Sequence, residues 1–381
     1  MMLDTRRYDD REHLTLASYA MHSRDSQGRK HDEGEHSYRG PFARDRDRIL
    51  HSSAFRRLSG KMQVFTGEMG IYHRTRLTHT IEVASIARTM ARVLRLNEDF
   101  TEALALVHDI GHPPYGHCGE DALSECMQRV GGFSHNGFAS VIVEELEQRY
   151  ADFPGLNLTL EILDGQVIRA NKAHAAIGIA PLLEVQLVDA ADSMAYDAHD
   201  VDDALQLGLL SMHELSELAI VRRALEMIKQ RCGTDRIRQL RQALVHQLID
   251  LQVTDFLQES SERLLPCQSL HAGDVRHAGV RLEHSDDLRR ERGELEAFLF
   301  DAVYRHQRLI PVRRAAYHRV QDMFQVLTGD PKRLPLRFRR RTETRPIESV
   351  VGEYLAGMTD AFCDTQYRYA TDGSTGPLAD W

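Results

Sequence analysis

From Phe42 onward the apolar residues of this chain recur at intervals of three and four. In ARDRDRILHSSAFRRL, Ile49, Leu50, Ala54 and Leu58 fall at helical spacing. Thr75 to Leu96 carries Leu77, Ile81, Ala84, Ile86, Ala87, Met90, Val93 and Leu94 on a 3.6-residue period. Asn97 can cap a further helix, NEDFTEALALVHDI, which Gly111, Pro113 and Pro114 must end. The same periodicity predicts helices over 117–130, 136–150, 182–207, 213–231, 235–257, 293–328 and 346–370. Residues 60–74, with three glycines, read as a loop or short hairpin. Strand signals are few and short, and no internal repeat is present, so the chain reads as all-α. It divides into a polar N-terminal arm (1–40), a helical core (41–258), a polar excursion or linker (259–290), a C-terminal helical region packed on the core (291–370) and a tail (371–381). Trp381, ending that tail, reads as disordered or as a contact residue.

Composition narrows the class. The 381 residues are 42% hydrophobic and 28% charged, enough apolar material for a sizeable core. Lys and Arg number 48 against 57 Asp and Glu, a formal charge of -9. That balance argues against nucleic-acid binding over the whole surface and leaves room for a local basic patch. No apolar run approaches the roughly 18 residues of a membrane span. The N-terminal MMLDTRRYDD lacks the apolar centre of a signal peptide, so the expected location is cytoplasmic, with no membrane partner. The five cysteines are odd in number and form no CxxC pair, which fits reduced thiols. Cys118 reads as a small buried filler.

The twenty histidines are the unusual feature. Six lie between positions 73 and 135, but five lie between 13 and 51, so density alone decides nothing. Spacing does. His108-Asp109 ends an apolar helix, where adjacent imidazole and carboxylate can turn toward one ion; such donors suit Mn, Fe, Co, Ni or Zn, and Mg less well. His79 on the preceding helix and Asp192 on a later one are candidates to complete the set. By itself the dipeptide reads as an interaction with the helix C-terminal dipole. HDIGHPPYGHCGE changes that, because it brings His112, His117 and Glu120 to the same helix break, and burying so many polar groups without purpose is costly. Asp192, Tyr196 and Asp200, spaced by four, form one stripe on a helix whose ordinary meaning is a solvated acidic face. Arg76 shares a face with His79, which suits either a surface salt bridge or a phosphate oxygen beside a metal. His271, His277 and His284 have irregular spacing and read as solvent histidines.

With these segments in view, the chain resembles the HD-domain deoxynucleoside triphosphate triphosphohydrolases, specifically the bacterial dGTPase-like proteins. The resemblance runs from about Pro41 to Ala370 and rests on DRDRILHSSAFRRLSGKMQVF, HRTRLTHTIEVA, HDIGHPPYGHCGEDAL, VDAADSMAYDAHDVDDAL, GLNLTLEILDG, LEAFLFDAVYRH and VVGEYLAGMTDAF. It implies an HD-domain helical bundle with a metal site at His79, His108, Asp109 and Asp192, and a catalytic dyad at His117 and Glu120. It implies phosphate contacts at Arg76, His112 and His135. Tyr196 and Asp200 would meet the sugar 3′-OH, with Tyr196 stacked under the ring so as to disfavour a 2′-hydroxyl. Two positions depart from the pattern. Many relatives read ADD where this chain has Ala191-Asp192-Ser193, and relatives often carry Lys where LEAFL has Glu296.

The implied reaction is attack at the α-phosphorus of a dNTP, giving deoxynucleoside and inorganic triphosphate, with a divalent ion (Mn, Mg, Co, Ni, Fe or Zn) as cofactor. The resemblance further implies a homo-oligomer, hexamer or tetramer, activated in some relatives by a second dNTP or by single-stranded DNA. Two other readings stand beside it: an HD phosphohydrolase acting on a different nucleotide phosphoester, and a regulatory nucleotide- or ssDNA-binding role using Arg337, Arg339, Arg340 and Arg341, a run that otherwise reads as a solvated loop.

Overall fold

A computed structural model describes residues 8–63, 74–170, 180–232, 237–372, 374 and 376–381. Among these the chain is all-α. No strand is formed, only three isolated bridges, Arg29 with Thr159, Met62 with Thr75 and Gln148 with Gly155. The middle of the expected 60–74 hairpin lies outside the described residues.

The first helices are α1 (Tyr8–Thr15), α2 (Pro41–Leu50), α3 (Ser53–Arg57) and α4 (Arg76–Val93). The last of these starts where the Thr75 hydroxyl accepts from the Thr78 N–H. Next comes α5 (Glu98–Val107), capped by Asn97 through the Phe100 N–H, with Glu98 and Asp99 at the positive end of its dipole. Seven of its ten residues are buried, from Phe100 to Val107, so this helix is a core element and delivers His108 and Asp109 to the interior. Then Tyr115 and Gly116, both at positive φ (64° and 59°), swing the chain into α6 (Gly116–Cys126). It is followed by α7 (His135–Val141), α8 (Leu160–Ala170) and the long α9 (Leu183–Gln206). The remainder is α10 (Met212–Ser216), α11 (Ala219–Cys232), α12 (Ile237–Leu264), α13 (Ala272–His277), α14 (Asp286–Leu299), α15 (Ile310–Gly329), α16 (Leu336–Arg341), α17 (Ile347–Ala356) and α18 (Asp360–Thr371).

Several expectations are corrected. The helix read over 136–150 ends at Val141 in a π turn, Ile142–Leu146. The stretch 117–130 breaks after Cys126, and 213–231 breaks after Ser216. The stretch 293–328 ends at Leu299 in a second π turn, Phe300–Tyr304, and restarts with Pro311 in the first turn of α15, since a proline is tolerated there and not in a helix interior. Within 346–370, Gly357 ends α17; a Cβ on it would stand 1.9 Å from the Trp381 ring. Helix α8 has no counterpart in the periodicity. Leu50, Ile81 and Val93, which fall on the helical period, are exposed.

The stretches read as polar also pack. In the N-terminal arm Ala20 and Met21 are buried, and the Met21 N–H donates to Glu184 at 2.9 Å. In 259–290 the residues Cys267, Val275, Leu282 and His284 are buried, so His284 is not a solvent histidine. Trp381 is docked, its indole N–H donating to the Tyr354 carbonyl at 2.9 Å. The arginine run is a helix, not a loop, and Arg337 and Arg341 are ion-paired with Asp380 and Glu353.

Two hydrophobic clusters organise the chain. One gathers α2–α8, the first half of α9, the end of α12 and the C-terminal helices α15–α18; the other gathers the second half of α9 with α10, α11, the first part of α12 and α14. Helix α9 therefore runs through the seam, with Ala191 and Ala195 in the first cluster and Ala198 and Val201 in the second. The C-terminal helices grip the loops around the HD segment. Asp360 accepts from the N–H groups of Met62 (3.1 Å) and Tyr115 (2.9 Å), and buried Lys61 donates to the carbonyls of His112 (2.5 Å) and Ala356 (2.9 Å). Burial lowers the Lys61 amine well below its ordinary range.

Candidate metal centre and substrate cavity

Helices α4, α5 and α9 bring His79, His108, Asp109 and Asp192 together. Ligand atoms of His79, His108 and Asp109 lie within 4.8 Å of one another, all three residues buried. Asp192 Oδ1 is 2.9 Å from His79 Nε2 and 3.5 Å from His108 Nε2. Burial alone would raise both carboxyls, but the neighbouring cations and imidazoles outweigh it and hold Asp109 and Asp192 well below the usual carboxylate range.

The hydrogen bonds behind the two imidazoles fix which nitrogen faces the centre. His108 Nδ1 donates to the Ala105 carbonyl at 2.6 Å, so its Nε2 carries the lone pair, and that atom is buried with no hydrogen-bond partner among the described residues. Glu82 can only accept, so His199 presents Nε2–H to it at 2.6 Å and a bare Nδ1 to His79 Nδ1–H at 3.1 Å. With an ion at the centre, His79 Nε2 would thereby be an acceptor facing it, in place of its 2.9 Å contact with Asp192 Oδ1. Burial raises Glu82, yet the His199 hydrogen bond and Arg74 bring it down to about 2, so it stays an acceptor. Asp192 is held from outside: Arg169 of α8 donates to Oδ2 at 3.2 Å and also pairs with Asp189.

On one side stands the histidine group. Arg76, 1% exposed, donates from Nη1 to Asp109 Oδ2 at 2.8 Å; its Nε and Nη2 are buried with no partner among the described residues. His112 Nε2 lies 3.1 Å from Asp109 Oδ1, and its ring stacks on His135 at 3.8 Å. Burial lowers the His112 imidazole well below its ordinary value. Glu120 accepts from the His135 side chain (2.8 Å) and backbone N–H (2.9 Å), and its other oxygen is 3.5 Å from His117 Nδ1. Burial pushes Glu120 up, but the hydrogen bonds from His117 and His135 dominate and hold it well below the carboxylate range. His117 itself is exposed. Gly111 permits this arrangement, since a Cβ there would meet the His135 carbonyl at 2.0 Å.

On the other side a cavity of about 510 Å³ opens along α9, lined by Asp192, Tyr196 and Asp200 and by His117. The Tyr196 and Tyr304 hydroxyls are hydrogen-bonded, and Tyr304 donates to Asp200 Oδ2 at 2.5 Å. Asp200 Oδ1 is buried with no partner among the described residues, and burial raises this carboxyl well above its ordinary value. All eleven residues singled out from the sequence therefore meet around one centre and its cavity. Sequence reasoning missed Glu82, Arg169, His199 and Tyr304. For His199 the signal was its position seven residues after Asp192, two helical turns along the same face.

Comparison with known proteins agrees with this geometry. The HD domain matches residues 76–197, from Arg76 past Tyr196, and the phosphohydrolase-associated domain matches residues 282–369. Three proteins named deoxyguanosinetriphosphate triphosphohydrolase-like are similar over 93% of the chain: those of Bordetella pertussis (41% identical, 95% of its length), Brucella suis (42%, 95%) and Ralstonia pickettii (39%, 94%). The chain belongs to the deoxyguanosinetriphosphate triphosphohydrolase-like family of HD-domain proteins.

As a member of that family it is a metal-dependent phosphohydrolase, and its own residues fit the ion. Two imidazole nitrogens and two carboxylates converge, and the buried His108 Nε2 has no hydrogen-bond partner among the described residues. Such donors accept several first-row divalent ions. Both departures from the family pattern, Ser193 and Glu296, line the cavity. Glu296 is paired there with Arg292, which also grips buried Asp197. No helix among the described residues is long and apolar enough to cross a membrane.

Proposed function

We propose that this chain hydrolyses a deoxynucleoside triphosphate to the deoxynucleoside and inorganic triphosphate. One observation carries the reading: the cavity that reaches Asp192 of the metal group has His117 on one wall and Tyr196 with Asp200 on another. A nucleotide whose sugar lies against Tyr196 and Asp200 has its α-phosphorus at the metal group and its 5′-oxygen near His117.

A bound divalent ion supplies Lewis acidity at a phosphate oxygen and acidifies water. The chain's residues do the rest. Arg76 offers its Nε and Nη2 donors, unpaired among the described residues, to a phosphate oxygen, with the stacked His112 and His135 rings nearby. These local charges are needed because a protein of net charge -9 otherwise repels a triphosphate. His117, oriented by Glu120, handles the proton at the 5′-oxygen, a role suited to an imidazole. Asp200 Oδ1, unpaired among the described residues, meets the 3′-OH. The same reading includes a homo-oligomer responsive to a dNTP or single-stranded DNA, which sizing and activity with and without these ligands would measure.

The test is chromatography of the products formed from each dNTP and rNTP with Mn, Mg or Co. Intact triphosphate from a dNTP supports the reading. Orthophosphate instead would point to another phosphoester substrate, and no triphosphate under any condition would sink the proposal.

A further inference from the structure

Lys61 is a buried amine that the reaction described above does not use. It is 2% exposed, with Arg57, Arg76, Asp109 and Asp360 as charged neighbours. An amine so placed needs acceptors, and it has two: the carbonyls of His112 at 2.5 Å and Ala356 at 2.9 Å.

The His112 carbonyl takes a side-chain donor for a local reason. Helix α5 has ended, Pro113 and Pro114 bring no N–H, and the next N–H, that of Tyr115, goes to Asp360. Lys61 fills the gap. The carbonyl it holds and the ring it steadies belong to one residue, since His112 Nε2 is 3.1 Å from Asp109 Oδ1 and the ring stacks on His135 at 3.8 Å.

The far end of this tie is held as well. Ala356 closes α17, and the Trp381 ring lies on Gly357, the residue after it. That ring stands between two guanidinium groups, Arg57 at 4.1 Å and Arg337 at 4.3 Å from its centroid. Arg57 is itself four residues before Lys61. Between them Gly60 abuts Thr359, whose methyl a Cβ would meet at 2.8 Å. The stretches 57–61 and 356–359 are therefore closed on one another, with Trp381 at one end of the seam and Lys61 at the other.

We propose that Lys61 is a positioning residue for the phosphohydrolase reaction: by tying the His112 carbonyl to the end of α17 it fixes the His112 ring against Asp109 and His135, and Trp381 acts through it from the other end of the seam. This rests on the reading that phosphate lies beside His112, and not on which phosphoester is cut. Lys61 touches no reacting atom.

The experiment compares wild type, Lys61→Met, Trp381→Ala and the double variant, as full chains, on the nucleotide that wild type hydrolyses fastest. The wild-type product, triphosphate or orthophosphate, decides the proposed reaction separately, because the comparison among variants holds for either. Met keeps the length of Lys and removes the donor. Lys61→Met should lower kcat about 10- to 100-fold, the order for a group displaced by about 1 Å, with KM and the calorimetric Mn²⁺ affinity changed less than about threefold. Hydrogen exchange over 109–118, read by mass spectrometry without substrate, should quicken about tenfold. Trp381→Ala should lower kcat by about threefold or more, and the double variant should be no slower than Lys61→Met, since both changes loosen one tie. Losses that multiply in the double variant would overturn the route through Lys61. A Lys61→Met protein that exchanges faster yet keeps the wild-type kcat would assign Lys61 a merely structural role, and an Mn²⁺ affinity that falls with kcat would move its effect to the metal group; either overturns the proposal. If Lys61→Met does not fold, Trp381→Ala decides, and wild-type exchange over 109–118 or a wild-type kcat in that variant would overturn it.

Discussion

His199 should set the metal affinity of a site it does not enter. In the chain Glu82–His199–His79 each nitrogen has one role, and the outcome is a bare Nε2 on His79. Replacing His199, which is 2% exposed, with Leu removes the acceptor for His79 Nδ1–H. That proton must then stay buried and unpaired, at about 1–3 kcal/mol, or move to Nε2. There Asp192 Oδ1 accepts it at 2.9 Å, in the space the ion needs. Either way the ion binds against a penalty of that size, a loss of about 10- to 100-fold in affinity. Titration calorimetry of the metal-free protein with Mn²⁺ measures this, with circular dichroism to verify folding. His199→Gln keeps an acceptor and should retain most of the affinity. If a folded His199→Leu protein binds Mn²⁺ within twofold of wild type, the assignment of nitrogens is wrong.

Three further outcomes are expected. His117→Ala should abolish turnover while preserving bound metal, whereas Asp109→Ala should lose both; metal analysis of the purified variants checks this, and metal loss in His117→Ala would contradict it. Gly111→Ala should destabilise the fold by about 3 kcal/mol or more, because its Cβ would meet backbone atoms of α7 at 2.0 and 2.5 Å; a melting temperature within a few degrees of wild type would refute the clash. Burial, reinforced by Arg292, lowers His284 to about 4. The unfolded chain therefore takes up a proton that the native one does not, and stability present above pH 6.5 is lost as pH falls toward 4, by on the order of 2–3 kcal/mol. Denaturant titrations of His284→Leu across that range should show a flatter decline; an unchanged slope would rule the residue out.

The metal residues were legible because their chemistry is written in short segments: His108 and Asp109 end a largely apolar helix, and HDIGHPPYGHCGE brings further histidines and an acid to the same break. The supporting residues were hidden for separate reasons. Arg169 lies on a helix whose periodicity is interrupted by Asp164 and Gly165 in a short amphipathic stretch. Tyr304 closes a π turn, which displaces the phase that a 3.6-residue repeat extrapolates. Leu50, Ile81 and Val93 fit a buried stripe by spacing, but a helix packed on few neighbours leaves part of its apolar face in solvent, and spacing cannot register the number of neighbours. The segment 259–290 looked like a linker because its polar residues outnumber its apolar ones; buried side chains that include Leu264, Cys267, Val275, Leu282 and Leu288 suffice to pin it.

The grip of Asp360 on the backbone of Met62 and Tyr115 bears on how this family can be recombined. The HD domain and the phosphohydrolase-associated domain are matched as separate stretches of sequence, yet neither holds a whole site. Tyr115 precedes the helix of His117 and Glu120, and it is the second stretch that fixes its N–H and supplies Tyr304 to the cavity. Exchanging the second stretch between relatives would thus graft in part of the substrate pocket and replace the brace of the HD turn at once. Drift in one half has to be matched by drift in the other, so the two behave as a single heritable unit.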